Sequence, residues 1–132
     1  MSPSILLRCT KFSVPLGDSD AIEVGDFVLA IGNPSRIGYT VSSGIVGGLH
    51  RHNLGVQRYE DFIQTEAAIY PGDFRGALIN MRGELIGINA GFISVSAGNG
   101  NFGLGFATPI NVARRIVDRI VASGTQRTLG RQ

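Results

Sequence analysis

Short apolar runs separated by turn residues make up most of this chain. Residues 27–32 form a continuous β-rich run that Asn33 and Pro34 end as a turn, and residues 102–107 alternate glycine with large apolar side chains. Comparable runs occur at 5–9, 40–46, 62–65, 76–80 and 85–93. Short strands joined by glycine-rich turns predict an all-β fold, a single small antiparallel β-barrel.

After residue 107 the pattern changes from strand to helix. Thr108 and Pro109 suit an N-cap and a first helical turn, and Gly124 suits a C-cap. An apolar stripe with helical spacing lies between them: Ala113, Ile116, Val117, Ile120 and Val121. We therefore expect a divergent N-terminal segment at 1–14, a barrel with a C-terminal α-helix at 15–124, and a loose polar tail at 125–132.

Length and charge exclude several classes of function. The 132 residues suit one domain, and the net charge of +2 is too small and too dispersed to predict a nucleic-acid partner.

No stretch reaches the roughly 20 apolar residues of a membrane span, and the N-terminus is too short for a secretory signal, which leaves localisation open. Cys9 is the one cysteine and cannot form an internal disulfide; we expect a buried thiol.

Two histidines stand one residue apart, at positions 50 and 52. They could begin a metal site, but no further ligand follows at a useful spacing, and there is no second cysteine. The sequence favours a solvated polar loop at 50–53 over a ligand pair, and it predicts no metal and no other cofactor.

The stretch 63–80 contains the most distinctive motif of the chain, a glycine-bracketed loop between two apolar runs. An apolar run enters a Pro71-Gly72 turn, passes a loop bracketed by Gly72 and Gly76, and leaves into a second apolar run. Residues 72–76 resemble the G-D-S-G-G loop of trypsin-like serine proteases, in which serine is the nucleophile and backbone N–H groups form the oxyanion hole. In this chain Phe74 occupies the serine position, and Arg75 replaces the glycine after it.

Other segments extend the resemblance. Residues 16–20, 24–34, 41–46, 59–65, 83–89 and 103–107 are similar, in order, to segments of the HtrA (DegP/DegQ) family of trypsin-like serine proteases. The resemblance implies the C-terminal one of two six-stranded Greek-key barrels with the active site between them. Members of the family degrade or refold misfolded periplasmic proteins without ATP, and PDZ domains often follow the barrels.

Departures from the family predict that the chain is catalytically inactive, as a pseudoprotease or a degenerate relic. No catalytic residue is intact: Phe74 cannot attack a carbonyl, and neither Asp73 nor Arg75 substitutes for serine. The family's histidine and aspartate lie in the N-terminal barrel, and His50 and His52 do not match that histidine. The chain also stops where a PDZ domain would begin. Arg75 is strained if its backbone φ is positive.

Several positions still match binding elements of the family. The oxyanion loop matches at Gly72, Asp73 and Phe74. For the substrate, the resemblance implies a base of the primary specificity pocket at Ala68 and Ile69, walls at Phe92 and Leu104, and a strand edge for an extended peptide at Asn89, Ala90 and Gly91. Core packing is the alternative for the apolar ones, and the Phe74 ring could fill the pocket mouth.

Three functions stay open at this point. The inactive barrel could bind unfolded or extended peptides. It could instead be a module of a hetero-oligomer, because a lone barrel exposes the face that packs on its twin. The least favoured possibility is an active endopeptidase, in which a partner chain supplies the missing barrel.

Overall fold

The computed structural model describes residues 13–55, 58–98 and 100–130. It contains six strands: β1 Phe27–Gly32, β2 Thr40–Arg51, β3 Phe62–Thr65, β4 Ala77–Asn80, β5 Leu85–Ala97 and β6 Gly100–Pro109. A short 3-10 turn at Pro34–Arg36 follows β1, and one α-helix, α1, spans Ile110–Gly130. The predicted strand at 5–9 and Cys9 lie outside the described residues.

The strands close into an antiparallel barrel in the order β1-β2-β3-β6-β5-β4, with β4 pairing back onto β1. Strands β4, β1, β2 and β3 are neighbours in that order, which is the Greek-key arrangement. The predicted all-β barrel with a C-terminal helix is therefore confirmed. In the described part of the chain, no helix has the length and apolar character needed to cross a membrane.

Inward-facing side chains from the strands, from the chain before β1 and from the chain after β3 fill the barrel. Ten buried residues form its core: Ile22, Val28, Ala30, Val46, Ile63, Ala67, Ile69, Leu78, Ile86 and Ala107. Phe62 and Phe106 are also buried, with ring centroids 6.1 Å apart in a tilted pair. The apolar runs read from the sequence thus supply the inward face of every part of the barrel.

Three local expectations are wrong. Strand β2 continues through Arg51, because Arg51 pairs with Phe62 of β3, so the predicted loop at 50–53 begins in a strand. Pairing of Ala97 with Gly100 closes the β5–β6 hairpin tightly, where we expected a five-residue flexible loop at 97–101. Helix α1 continues past Gly124 to Gly130, because a glycine inside a helix costs only about 1 kcal/mol and does not end it.

The helix also begins differently from the prediction. Thr108 pairs with Ile88 in the sheet, so it is not available as an N-cap. The cap comes from a distant segment instead: the Asn111 N–H donates to Ser19 Oγ at 3.0 Å, and Asn111 Nδ2 donates to Asp18 Oδ1 at 2.8 Å. This segment is joined to the barrel by the Gly17 N–H, which donates to the Leu85 carbonyl at 2.9 Å. The 15–20 segment therefore fixes the helix to the barrel.

A pH dependence of stability follows from the Asp18 contact. Hydrogen bonds from Asn111 Nδ2 and from the Asp20 N–H hold the pKa of the Asp18 carboxyl below its ordinary value of 3.8. A carboxyl whose pKa is lowered by folding stabilises the fold above its ordinary pKa, and that contribution is lost as the pH falls through the folded value. We expect Asp18→Asn to lower the melting temperature near neutral pH and to have progressively less effect below about pH 4.

Thermal unfolding between about pH 7 and pH 2 measures this difference. The pKa of Glu84 is also lowered, by hydrogen bonds from Asn80 and Arg82, but its titration is common to both proteins and cancels in the comparison. Asp118→Asn on the exposed face of α1 serves as the matched control. A difference between Asp18→Asn and the parent that is constant across the pH range would contradict the prediction.

Candidate oxyanion loop and peptide groove

The loop at residues 70–76, between β3 and β4, is held in shape by its own backbone and by Asp73. The Asp73 N–H donates to the Tyr70 carbonyl at 2.9 Å, and the Tyr70 N–H donates back to Asp73 Oδ2 at 2.9 Å. The Gly76 N–H then donates to the Asp73 carbonyl at 2.9 Å. These reciprocal bonds define two tight turns, so Asp73 acts here as a structural residue of the loop.

Two glycines let the loop lie against strand β1 and the turn after it. Gly72 has a φ of +104°, and a Cβ atom there would lie 2.8 Å from the Ser35 nitrogen. A Cβ atom at Gly76 would collide with the Ile31 carbonyl oxygen. Ser35, which lies against Gly72, and the next residue, Arg36, have positive φ values of 52° and 58°. Asn33-Pro34 marks a turn there in the sequence, but its packing under the loop depends on contacts between distant residues.

Arg75 is the strained position of the loop. Its φ is +76°, a conformation that L-residues other than glycine rarely adopt. Its N–H donates to the Asn89 carbonyl at 2.7 Å, and the Asn89 N–H donates to the Gly76 carbonyl at 2.9 Å. Arg75 is therefore strained, as expected for a positive φ. The two hydrogen bonds to Asn89 hold the loop on the first part of β5.

Replacing Arg75 tests the strain directly. We expect Arg75→Gly to raise the free energy of unfolding by about 1 kcal/mol, because glycine adopts positive φ without a steric cost. Arg75→Ala is the matched control, since it removes the same long side chain but keeps Cβ and the strain. Urea denaturation measures both. Equal stabilities for the two variants would show that φ at this position is not limiting.

The loop presents two backbone donors. Within the described residues, the N–H groups of Gly72 and Phe74 have no hydrogen-bond acceptor, whereas those of Asp73, Arg75 and Gly76 do. In the G-D-S-G-G loop that this segment resembles, donors around the nucleophile position form the oxyanion hole. Phe74 is 43% exposed and helps to line a depression of about 270 Å³, together with Asn33, Tyr39 and Arg75.

Two buried polar side chains, one from the loop and one from β5, lie between the loop and the barrel strands. Asn89 is 1% exposed, and its Nδ2 donates to the Ile31 carbonyl at 3.3 Å. Asp73 is 5% exposed and lies against the backbone of Gly32. Among the described residues, the Oδ1 atoms of Asp73 and Asn89 have no donor. The pair joins the loop, β1 and β5, so Asn89 serves as a link between these elements as well as an edge residue.

Two of the residues assigned to the specificity pocket lie against glycines of β6. Ile69 is fully buried and lies against Gly105, and the Phe92 ring covers Gly103. Ile69 also belongs to the core, so core packing alone explains its position. Leu104 and Ala68 are half-buried, and the Ala68 carbonyl accepts a hydrogen bond from Ser42 Oγ at 2.6 Å, a contact that the sequence did not indicate.

Only part of the strand edge assigned to peptide binding lacks a partner, because the Asn89 N–H and carbonyl both bond to the loop. Strand β4 pairs with β5 only as far as Ile88, so among the described strands the second edge of β5 has no strand partner from Asn89 onward. The β5–β6 register shifts between Asn89 and Gly91, which leaves Ala90 in a bulge. Such bulges redirect a strand and often lie beside binding sites. The edge begins next to the loop, at the hydrogen bond from Arg75 to Asn89.

The histidines lie elsewhere. His50 Nδ1 is 2.8 Å from Asp61 Oδ1, and His52 Nδ1 is 2.9 Å from the His50 carbonyl oxygen. Strand β2 meets β1 beside the loop at Thr40, about ten residues from His50, and each strand residue spans about 3.3 Å. Nothing among the described residues forms a cluster of three metal-ligating side chains.

A family model and similar proteins agree with this geometry. The model of the trypsin-like peptidase domain matches residues 8–88, more than half of the chain. The chain belongs to the trypsin-like peptidase family. It is 48% identical over 111 residues to a probable periplasmic serine endoprotease DegP-like of Buchnera aphidicola subsp. Baizongia pistaciae, a match that covers 84% of this chain and 23% of the relative.

Other relatives of this trypsin-like chain are HtrA-type proteases. The periplasmic serine endoprotease DegP of Escherichia coli K12 is 47% identical over 112 residues, covering 85% of this chain and 23% of DegP. A solved structure of the HtrA-type protease AlgW with a decapeptide aligns with a TM-score of 0.75 at 45% identity, covering 85% of this chain and 34% of AlgW. The chain thus spans about a quarter to a third of the length of these relatives.

Proposed function

We propose that this trypsin-like chain binds extended peptides without hydrolysing them. The observation that carries the proposal is the loop at 70–76, which keeps two free backbone donors, at Gly72 and Phe74, and has a phenyl ring at the nucleophile position. A hydrocarbon ring has no proton to give up and no lone pair to attack with, so acyl transfer has no starting step. The loop therefore retains its backbone donors and lacks the nucleophile.

The unpaired edge of β5 supplies the second part of the site. The Asn89 backbone is already bonded to the loop, so a peptide laid along this edge would gain its main-chain hydrogen bonds by strand addition beyond Asn89, close to Phe92. The solved structure of AlgW holds a decapeptide, which makes an extended peptide the ligand class to test here. The ring of Phe74 lies at the rim of the depression, partly exposed, and offers an apolar contact to such a peptide.

Binding of an unfolded protein tests the proposal. Reduced, carboxymethylated α-lactalbumin carrying a fluorescent label should show a saturable rise in anisotropy with the chain. Denaturing gels of the same samples should show the label on the intact protein. Absence of any anisotropy change at high micromolar chain would contradict peptide binding, and loss of intact substrate that follows the purified chain through separate columns would contradict inactivity.

Exposed residues of helix α1 favour a second candidate, association with another polypeptide. Four apolar side chains of the stripe are 42–65% exposed: Ile116, Val117, Ile120 and Val121. Contiguous apolar surface of this kind marks protein interfaces or promotes aggregation. Sedimentation velocity over a concentration series tests this candidate, with Ile116→Gln/Ile120→Gln as the comparison. A parent that stays monomeric at every concentration would contradict self-association.

A further inference from the structure

Arg75 gives the loop a charge that the resembled G-D-S-G-G sequence lacks at that position. The arginine is exposed and lines the same depression as Phe74, Asn33 and Tyr39. Gly72 and Phe74, whose N–H groups are free within the described residues, line it as well. Backbone donors and a guanidinium group that line one depression suit a carboxylate, because a carboxylate accepts several hydrogen bonds and pairs with arginine.

Asp73 is the other charged residue that lines the depression, but its side chain is buried. Asp73 is 5% exposed, its Oδ2 accepts the Tyr70 N–H, and the carboxylate lies against Gly32 of β1. The Asp73 carboxylate is therefore largely shielded from a ligand that arrives from solvent, whereas Arg75 is exposed. The half-exposed Phe74 and the exposed Tyr39 provide apolar walls on which a terminal side chain can rest.

We propose that the loop at 72–75 captures the free C-terminal carboxylate of a peptide that lies along the edge of β5. The inference rests on the proposed peptide binding and names the end of the peptide that is recognised. The Arg75 N–H bonds to the Asn89 carbonyl, so the loop stands at one end of the unpaired β5 edge. A peptide on that edge has one terminus at the loop. An internal carbonyl accepts the same N–H groups but carries no charge for Arg75.

Paired peptides separate this inference from simple peptide binding. Acetyl-Ala-Ala-Val-Leu is titrated by calorimetry as the free acid and as the C-terminal amide, at one fixed ionic strength. We expect the acid to bind at least tenfold more tightly, because hydrogen bonds to charged groups are about twice as strong as neutral ones. In Arg75→Gln the acid should lose most of that advantage, while affinity for the amide stays the same. Arg119→Gln on α1 is the matched control and should leave both affinities unchanged.

Each outcome has a defined meaning. Equal affinities for acid and amide would overturn carboxylate capture and leave peptide binding in place. A preference for the acid that survives Arg75→Gln would overturn the role of Arg75. Binding of neither peptide, together with no binding of the unfolded protein described above, would overturn both proposals. Far-ultraviolet circular dichroism of each variant establishes that the barrel is folded before the titrations are compared.

Discussion

The purified chain is expected to remain unlabelled by a fluorophosphonate probe under conditions in which an active HtrA-type protease is labelled to completion. The probe reacts only with an activated nucleophile, and Phe74 supplies none. Loss of the nucleophile or its base in a serine protease costs about 10⁶-fold in turnover. Intact-mass spectrometry measures the adduct. A stoichiometric mass increase that maps to residues 70–76 would contradict the assignment of Phe74 to the nucleophile position.

A companion variant sharpens this prediction. Phe74→Ser restores a hydroxyl at the loop, yet we expect no labelling and no hydrolysis above the parent. The chain has two histidines, and both lie at the far end of β2, engaged with Asp61 and with the His50 carbonyl. A serine without a neighbouring imidazole is a weak nucleophile near neutral pH. Rapid labelling of Phe74→Ser would mean that a base reaches the loop, and the inactivity of the chain would then be due to Phe74 alone.

Gly76→Ala is expected to have the largest effect on the fold near the site. A Cβ atom there would collide with the Ile31 carbonyl oxygen and lie 2.8 Å from the Asp73 carbonyl oxygen, and both are backbone atoms that cannot rotate away. The loop must then move off β1, with loss of the hydrogen bond from the Asn89 N–H to the Gly76 carbonyl. Overpacking of this kind destabilises by about 3 kcal/mol, and peptide binding should be lost with it.

Urea denaturation and the anisotropy titration together measure the consequence. Gly124→Ala is the control, because nothing lies within 4 Å of a Cβ at that helical position, and alanine is the better helix former. We expect that control to be neutral or slightly stabilising and to bind normally. Unchanged stability of Gly76→Ala would contradict the close packing of the loop on β1.

The sequence predicted what depends on local pattern. Short apolar runs located all six strands of the described barrel, and the glycines around Asp73 located the loop. The same reasoning gave the condition under which Arg75 is strained, and the positive φ meets it. These features were accessible because burial periodicity and backbone sterics act over a few residues.

Features that depend on contacts between distant residues could not be predicted from the sequence. The cap of helix α1 comes from Ser19, which lies 92 residues before Asn111, so local rules placed the cap at Thr108 instead. The length of β2 depends on the pairing of Arg51 with Phe62, and the support of Gly72 depends on Ser35. The residues next to each position in the sequence do not determine such contacts, which form only when the closed barrel brings distant segments together.

A nitrogen–proton correlation NMR titration with an unlabelled ten-residue apolar peptide tests the central claim most directly, because one sample reports both binding and cleavage. We predict shifts concentrated at Gly72, Phe74 and Arg75 and along Asn89–Phe92, with the peptide's own proton signals still those of the intact peptide after overnight incubation. New signals of peptide fragments in that sample, or an intact peptide that leaves the resonances of the loop and the β5 edge unshifted, would contradict a barrel that holds peptides without cutting them.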